Sequence, residues 1–348
     1  MNKTITGKQV GNFLLNNAVI IMMLIAAVVV SILRPNFISE YNAKNLISNT
    51  AARFIVALGV SGCLITKGTD LSAGRMVGLA ACLSATFLQR ADYTSKVYPE
   101  MGELPILGVF LGVVLICMVF GFINGLVISK LYVPPFITTL GMQTIVYGIC
   151  LVYTGAQPIG GLRADYTQIA SGSLFNITYI PYLGIIALVL GALMWFIYNK
   201  TPHGKYMYAI GGNESSAEVA GINTTATKII IYTSAAALYG IAGFLYGGKA
   251  GGASVNIGLG YELEAISMCV LGGVSTAGGK GTFPGVIIAI FIVGLLRYGL
   301  GLINVNTQTI RIIIGAMLIL AVMLPNLGLE RLFRKRAKKQ DAPVEPSM

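Results

Sequence analysis

The chain has 348 residues, of which 55% are hydrophobic and only 11% charged, with a formal net charge of +11. Soluble domains carry about 25% charged residues, so this composition excludes a cytosolic enzyme, a disordered chain and a secreted disulfide scaffold. Mean hydropathy is +0.77, and about ten spans of roughly 20 residues fit within this length with short loops left over. The composition predicts an all-α, polytopic membrane helix bundle. Its basic excess reads as orientation, because cytoplasmic loops collect Lys and Arg, and not as a nucleic-acid surface.

Lys3 and Lys8 precede an apolar run over residues 14–33. No small-residue cleavage site follows it, so it reads as an uncleaved first span and not as a signal peptide. Arg34-Pro35-Asn36 breaks it. Further apolar stretches cover 46–66, 71–88, 105–129 and 136–153, and Lys67-Gly68-Thr69-Asp70 separates the first two of these. The loop 89–104 carries Asp92, Glu100 and Glu103 and reads as external; 154–178 reads as a polar, glycine-rich loop. A sixth span is predicted over 180–198, followed by a basic-flanked polar segment over 199–228. The remaining spans fall at 229–247, 261–274, 282–298 and 309–324, with glycine-rich breaks at 248–260 and 275–281.

Residues 1–328 are therefore read as one transmembrane domain, and 329–348 as a basic cytoplasmic tail holding Arg331, Arg334, Lys335, Arg336, Lys338 and Lys339. Both termini are basic and are expected to be cytoplasmic, which requires an even number of spans. Ten satisfies this, and so does eight if the segments around Asp70 and Gly278 are re-entrant. The pairs Gly108/Gly112, Gly121/Gly125, Gly243/Gly247 and Gly281/Gly285 have the spacing at which small residues let helices approach closely in lipid. Cys63, Cys82, Cys117, Cys150 and Cys269 are scattered through apolar stretches without a CxxC and read as packing residues.

Several enzymatic constellations are missing. Residues 272–281 resemble a phosphate-binding loop only superficially: the first glycine is absent, and Gly281 stands where Ser or Thr must hold magnesium. His203 is the only histidine, so neither a histidine-based triad nor a zinc-protease motif can form. The chain is expected to be neither an enzyme nor a holder of a metal or cofactor.

Charged groups inside spans cost about 2.5–3.5 kcal/mol each and need partners or water. The candidates are Arg53, Asp70, Arg75, Glu262, Glu264, Arg297 and Arg311. Asp70, at the head of the third apolar stretch, reads either as a helix cap or as a polar joint in a transport path. Ser72 and Arg75 share a helix face, whereas Asp70 and Arg75 do not. Glu262, Glu264, Arg297 and Arg311 are expected to form structural ion pairs, among them Glu264 with Arg311. Asn124, Thr138, Thr139 and Gln143 read as interhelical hydrogen-bonding groups or as a weakly polar lining.

In the polar segment, Ser215-Ser216-Ala217-Glu218 fits a capping box in which Ser215 caps the free amides and Glu218 reaches back. Gly221 is the expected C-terminal stop. A helix this short is marginal alone, so it is expected to rest on a partner.

The run 66–75, Thr-Lys-Gly-Thr-Asp-Leu-Ser-Ala-Gly-Arg, resembles the G-x-D-L-S-x-G signature of bacterial sugar ABC-importer permeases. Pro135-Phe136-Ile137-Thr138-Thr139-Leu140-Gly141 is similar to their P-F-I-x-T-L-G segment. Residues 209–222 resemble their cytoplasmic G-G-N-x-x-A-A-x-x-x-G-I loop, with Ser216 where alanine is usual. Tyr261-Glu262-Leu263-Glu264-Ala265-Ile266 with Leu271-Gly272-Gly273 resembles a further block. The T-x-G-T-D-L-S-A-G-R run and Lys96-Val97-Tyr98-Pro99-Glu100 look most like the galactose/methyl-galactoside type, where ribose-type members read G-G-I-D-L-S-V-G.

The resemblance implies a homodimeric permease in the bacterial inner membrane. Its implied partners are a cytoplasmic ATPase subunit with two nucleotide-binding domains and an extracytoplasmic sugar-binding protein. The segment 199–228 then becomes the ATPase coupling loop, represented by Gly211, Gly212, Asn213, Glu214, Ala217, Ala220, Gly221 and Ile222. Asp70, Ser72, Arg75, Asn124, Thr138 and Thr139 become candidates for the translocation path of a neutral monosaccharide. The implied sugar is galactose or methyl-galactoside, with ribose or xylose as alternatives. A secondary transporter using Asp70 as its ion site and a non-transporting membrane scaffold are the rival readings.

Overall fold

A computed structural model describes residues 18–34, 37 and 39–326. The N-terminal lysines, the start of the first predicted span and the basic tail lie outside the described residues. Each of the ten predicted apolar stretches holds a helix: α1 (Ala18–Leu33), α2 (Glu40–Ile65), α3 (Ala73–Phe87), α4 (Ile106–Lys130), α5 (Pro135–Thr154), α7 (Tyr182–Lys200), α10 (Thr224–Ala250), α11 (Tyr261–Leu271), α12 (Phe283–Leu302) and α13 (Thr307–Asn326). Three more helices lie in the segments read as loops: α6 (Ala164–Ser171), α8 (Pro202–Gly212) and α9 (Glu214–Val219). No strand forms among the described residues.

Six of these helices, α2, α4, α5, α7, α10 and α12, are long and apolar enough to cross a bilayer. At 1.5 Å per residue, the 15 residues of α3 and the 11 of α11 cannot span a hydrocarbon core of about 30 Å. Both are instead short helices lodged inside the bundle. Helix α2 begins before its apolar stretch because Ser39 accepts a hydrogen bond from the Asn42 amide at 3.2 Å and Glu40 occupies the first turn.

The core is an antiparallel pair, α2 and α10. Asn49 meets Lys249 at one end, and Gly59 lies against Ala235 further along. Both helices bury most of their apolar surface, whereas α4, α5 and α7 bury only a stripe and turn the rest outward. A membrane helix with no polar outer face has lipid as its solvent. Helix α3 packs parallel to α10, α4 packs antiparallel to it, and α7 runs beside α2, where the Tyr198 hydroxyl donates to the Leu58 carbonyl at 2.9 Å.

The glycine pairs divide. A side chain at Gly121 would meet Ala236 and the Tyr232 carbonyl, and one at Gly125 would meet the Ile229 backbone, so this pair sets the α4–α10 distance. Gly243 likewise sits against Val77 and Ala80 of α3. Gly108 and Gly112, by contrast, face the Pro105 ring and open space and do not bring helices together. Replacing Gly125 by leucine should therefore cost about 1–3 kcal/mol through overpacking, and the same change at Gly112 almost nothing. Thermal unfolding in detergent checks this contrast.

The loop read as external, 89–104, is tied to helix α6. Arg163 pairs with Asp165 at 2.5 Å and donates to the Leu104 carbonyl at 2.8 Å, while the Tyr166 hydroxyl reaches the Phe244 carbonyl at 2.5 Å. The glycine-rich break at 251–260 does not stand free either. It runs back along α3, where Arg75 donates to the Val255 carbonyl at 3.1 Å. All five cysteines are free and buried.

Candidate functional site

Two features converge on one end of the bundle. The first is the break between α2 and α3. Thr66 ends α2, its amide bonded to the Gly62 and Cys63 carbonyls, and the chain then crosses residues 67–72 without a regular ladder. Asp70 is only 1% exposed. Its Oδ1 accepts from the Ser72 amide at 3.0 Å and the Ser72 hydroxyl at 2.6 Å. This is a local carboxylate turn that organises the entry to α3 and does not cap its first amides directly. Asn124 of α4 donates through Nδ2 to Ser72 Oγ at 3.1 Å. The Thr139 hydroxyl of α5 lies 3.0 Å from the Thr69 carbonyl and accepts from the Leu71 amide at 3.1 Å.

The structure thus brings Asp70, Ser72, Asn124 and Thr139 from three elements into one buried polar knot. It leaves two path candidates outside. Thr138 turns away and donates to the Pro134 carbonyl at 3.2 Å. Arg75 stacks over the Tyr147 ring, 4.0 Å from its centroid. No basic side chain forms an ion pair with Asp70 among the described residues.

Helix α10 adds two tyrosines to the knot, Tyr232 and Tyr239, both almost fully buried. Tyr232 brings its hydroxyl against Gly68, where any side chain would collide with it. The seven-residue spacing puts both rings on one face of α10, a signal not singled out from the sequence.

The second feature is the segment 199–228, which folds as two helices. Thr201 starts α8 by accepting from the Gly204 amide at 3.3 Å. Half-burial holds His203, the next residue but one, below the usual imidazole range, so the ring is neutral at pH 7. Asn213, and not Ser215, caps α9: its Oδ1 accepts from the Ser216 amide at 2.9 Å, because the helix starts at Glu214 and Asn213 takes the extended cap conformation. Ser215 is exposed, and Glu218 does not reach back; it accepts from the Thr224 hydroxyl at 2.8 Å. Glu214 pairs with Lys228 at 2.5 Å. The stop at Gly221 follows a Schellman pattern: φ is 82°, the Gly221 amide bonds Glu218 and the Ile222 amide bonds Ala217. Ala217 faces inward, while Val219 is 91% exposed beside Ala220 and Gly221.

The two features are joined. Gly211, at the end of α8, leaves no room between itself and the Ile65 carbonyl. The Gly279 amide donates to Ile65 O at 2.8 Å, and Lys67 Nζ donates to Gly212 O at 3.3 Å. Between α9 and the break lies a cavity of about 400 Å³ lined by Thr66, Gly68, Tyr132, Ser215, Glu218 and Tyr232, among others.

At the opposite end, Glu264 of α11 accepts from Arg53 of α2 at 2.9 Å and pairs with Arg297 of α12. Arg53 also lies 4.7 Å from the Tyr261 ring centroid, and Lys249 donates to Asn49 at 2.5 Å. Of the four residues expected in ion pairs, Glu264 and Arg297 meet. Glu262 packs by Gly74, and Arg311 is exposed on α13 and forms no ion pair among the described residues. The Glu264–Arg311 pairing is therefore replaced by Arg53–Glu264–Arg297, because α13 turns Arg311 outward.

Residues 42–322 match the family described as branched-chain amino acid transport system / permease component. The chain is 42% identical over 326 residues to the galactose/methyl galactoside import permease protein MglC of Escherichia coli (strain K12), covering 92% of this chain and 96% of that protein. It is 43% identical over 323 residues to the protein of the same name from Haemophilus influenzae, covering 91% and 95%. The ribose import permease protein RbsC of Bacillus subtilis (strain 168) is 35% identical over 302 residues, covering 87% and 90%. No solved structure matches. With the match running from the start of α2 into α13, and whole-length relatives that are import permeases, the chain belongs to the family of branched-chain amino acid transport system / permease components.

Proposed function

We propose that the chain is the membrane-spanning subunit of an ATP-binding-cassette importer for a monosaccharide, with galactose or a methyl galactoside as first candidates. A cytoplasmic ATPase drives it, an extracytoplasmic binding protein delivers the sugar, and two copies of the chain form the pore. The observation that carries this reading is the joint between the polar break and the exposed helix α9. The sequence offers no phosphate-binding loop of its own, so energy has to arrive through a surface, and α9 supplies one. The relatives named for galactose/methyl galactoside, at 42% and 43% identity, favour that sugar over the ribose of the 35% relative.

Orientation follows from charge. The α9 end carries Lys67, Lys130, Lys200, Lys205, Lys228 and Lys280, while Asp92, Glu100 and Glu103 lie in the loop at the other end. The α9 end is cytoplasmic on this basis. ATP-driven closure of the partner moves α9 and α8 together. The contacts of Gly211 and Gly212 with Ile65 and Lys67 pass that movement to the break at 66–72, which is the hinge of the path. A neutral sugar needs donors and acceptors there and no counter-charge, which suits Ser72, Asn124 and Thr139.

The test is uptake into proteoliposomes holding the chain with its co-purifying ATPase and binding protein. The expected result is ATP-dependent accumulation of labelled galactose that exceeds that of ribose. Uptake abolished by an uncoupler but indifferent to ATP removal would replace this reading by the ion-driven one, with Asp70 as its ion site.

A further inference from the structure

Buried polar atoms are nearly always hydrogen-bonded, and each one left alone costs about 1–3 kcal/mol. At the break, Asn124 Oδ1 and the Tyr232 hydroxyl are buried without a partner among the described residues. Their neighbour Asp70 lacks a cation there. Glycine at 68 is what admits the Tyr232 hydroxyl to this position. On the other side of Tyr232 lies the cavity of about 400 Å³, within the range of about 300–1,000 Å³ occupied by small-molecule sites. At its mouth is Tyr132, a non-glycine residue held at φ 55°, in a backbone region that bulky side chains rarely adopt. The charges around the cavity are already engaged: Lys228 with Glu214, Lys67 with the Gly212 carbonyl, and Glu218 with Thr224. What remains is a chamber whose wall carries two lysines and two glutamates, already hydrogen-bonded and balanced in charge, together with the Tyr232 ring, while the unsatisfied Asn124 amide oxygen lies behind that wall in the knot; such a wall suits a polyol better than an ion.

We propose that this chamber is a monosaccharide site belonging to the permease itself, where the inward-moving sugar is held against the coupling helix before release. The Tyr232 hydroxyl, sealed against Gly68 behind the chamber wall, becomes a sugar contact when the break moves away from it. Asn124 Oδ1 and the Asp70 carboxylate accept from sugar hydroxyls as the break opens. Because α9 forms one wall, a sugar in the chamber holds α9 in place and slows the ATPase cycle. Sugar selection is then shared between the binding protein and this site.

The inference rests on the proposed sugar transport, and one experiment separates the two. The complex of the chain with its ATPase and binding protein is placed in nanodiscs, with the binding protein already saturated by micromolar galactose. ATPase turnover is then followed as galactose rises through the millimolar range, with sucrose as the osmotic control. Galactose is expected to inhibit and sucrose not to. Tyr232→Phe removes a hydroxyl that has no partner among the described residues, so the variant folds; it should raise the half-inhibiting galactose concentration roughly three- to tenfold, the equivalent of one hydrogen bond. Wild-type turnover untouched by millimolar galactose overturns the inference without any variant, and so does equal inhibition of wild type and Tyr232→Phe. If sugar-loaded binding protein fails to stimulate the ATPase at all, the transport reading fails first.

Discussion

Replacing Glu264 by glutamine is expected to lower the thermal midpoint of the detergent-solubilised chain by roughly 5–10 °C, corresponding to a loss of about 3–5 kcal/mol. Glu264 is the one carboxylate between Arg53 and Arg297, and its side chain is 8% exposed. Removing a single partner from a buried pair strands charge in a medium that cannot solvate it, and here two guanidinium groups are stranded together. Arg297→Gln should cost less, because Glu264 keeps Arg53 at 2.9 Å. Arg311→Gln should be close to neutral, because that side chain is exposed. Midpoints ranked Glu264→Gln below Arg297→Gln below Arg311→Gln support the three-residue arrangement, and equal midpoints for all three refute it.

The second large effect lies at α9. Val219→Asp is expected to leave the melting temperature unchanged, because the side chain is 91% exposed and touches little. If α9 docks on the ATPase as proposed, the substitution should nevertheless weaken capture of that subunit by about 2 kcal/mol or more, roughly thirty-fold, since it places a carboxylate where the exposed valine would be buried. Uptake should fall in step. Ala217→Arg separates fold from docking in the opposite sense. Ala217 faces inward, so arginine there should unseat α9 from the bundle and lower the melting temperature itself. Normal ATPase capture by Val219→Asp would remove α9 from the proposed coupling surface.

Much of the architecture is legible in the residues. Apolar runs locate ten helices because lipid demands long apolar stretches whose backbone groups are satisfied internally. Lengths are read less well where polar residues continue a helix. Helix α2 extends to Glu40 because Ser39 and Glu40 supply a cap that hydropathy does not register. Helix α6 is hidden in a glycine-rich segment, yet Tyr166, Ile169 and Ala170 carry the i, i+3, i+4 pattern of a helix with one face inward. The capping box at Ser215 misleads because Asn213, two residues earlier, is an equally strong cap and sits where the chain is already extended.

At the candidate site, Asp70, Ser72, Asn124 and Thr139 are identifiable as polar groups in apolar surroundings, and their meeting is consistent with that pattern. The role of Tyr232 is not readable, because an aromatic residue at helical spacing in a membrane span is usually packing. Only the contact with Gly68, more than 160 residues away in sequence, distinguishes it. Ion-pair partners are equally unreadable: Arg53 and Arg297 are brought to Glu264 by the crossing of three helices, and composition cannot choose between Arg297 and Arg311.

The half-length of α3 has a consequence for biogenesis. A 15-residue segment is too short to be held in the bilayer by its own hydrophobicity, and its principal partner, α10, starts only at Thr224. While the ribosome is still making the first two hundred residues, Asp70 and the turn around it have only Asn124 and Thr139, of α4 and α5, beside them, and the side that Tyr232 and Tyr239 of α10 cover stands open. The proposed hinge of the path is thus among the last parts of the molecule to be completed, although it is encoded near the beginning. A nascent chain that stalls or terminates before α10 leaves a polar knot exposed inside the membrane, a mark by which membrane quality control can tell an unfinished permease from a finished one.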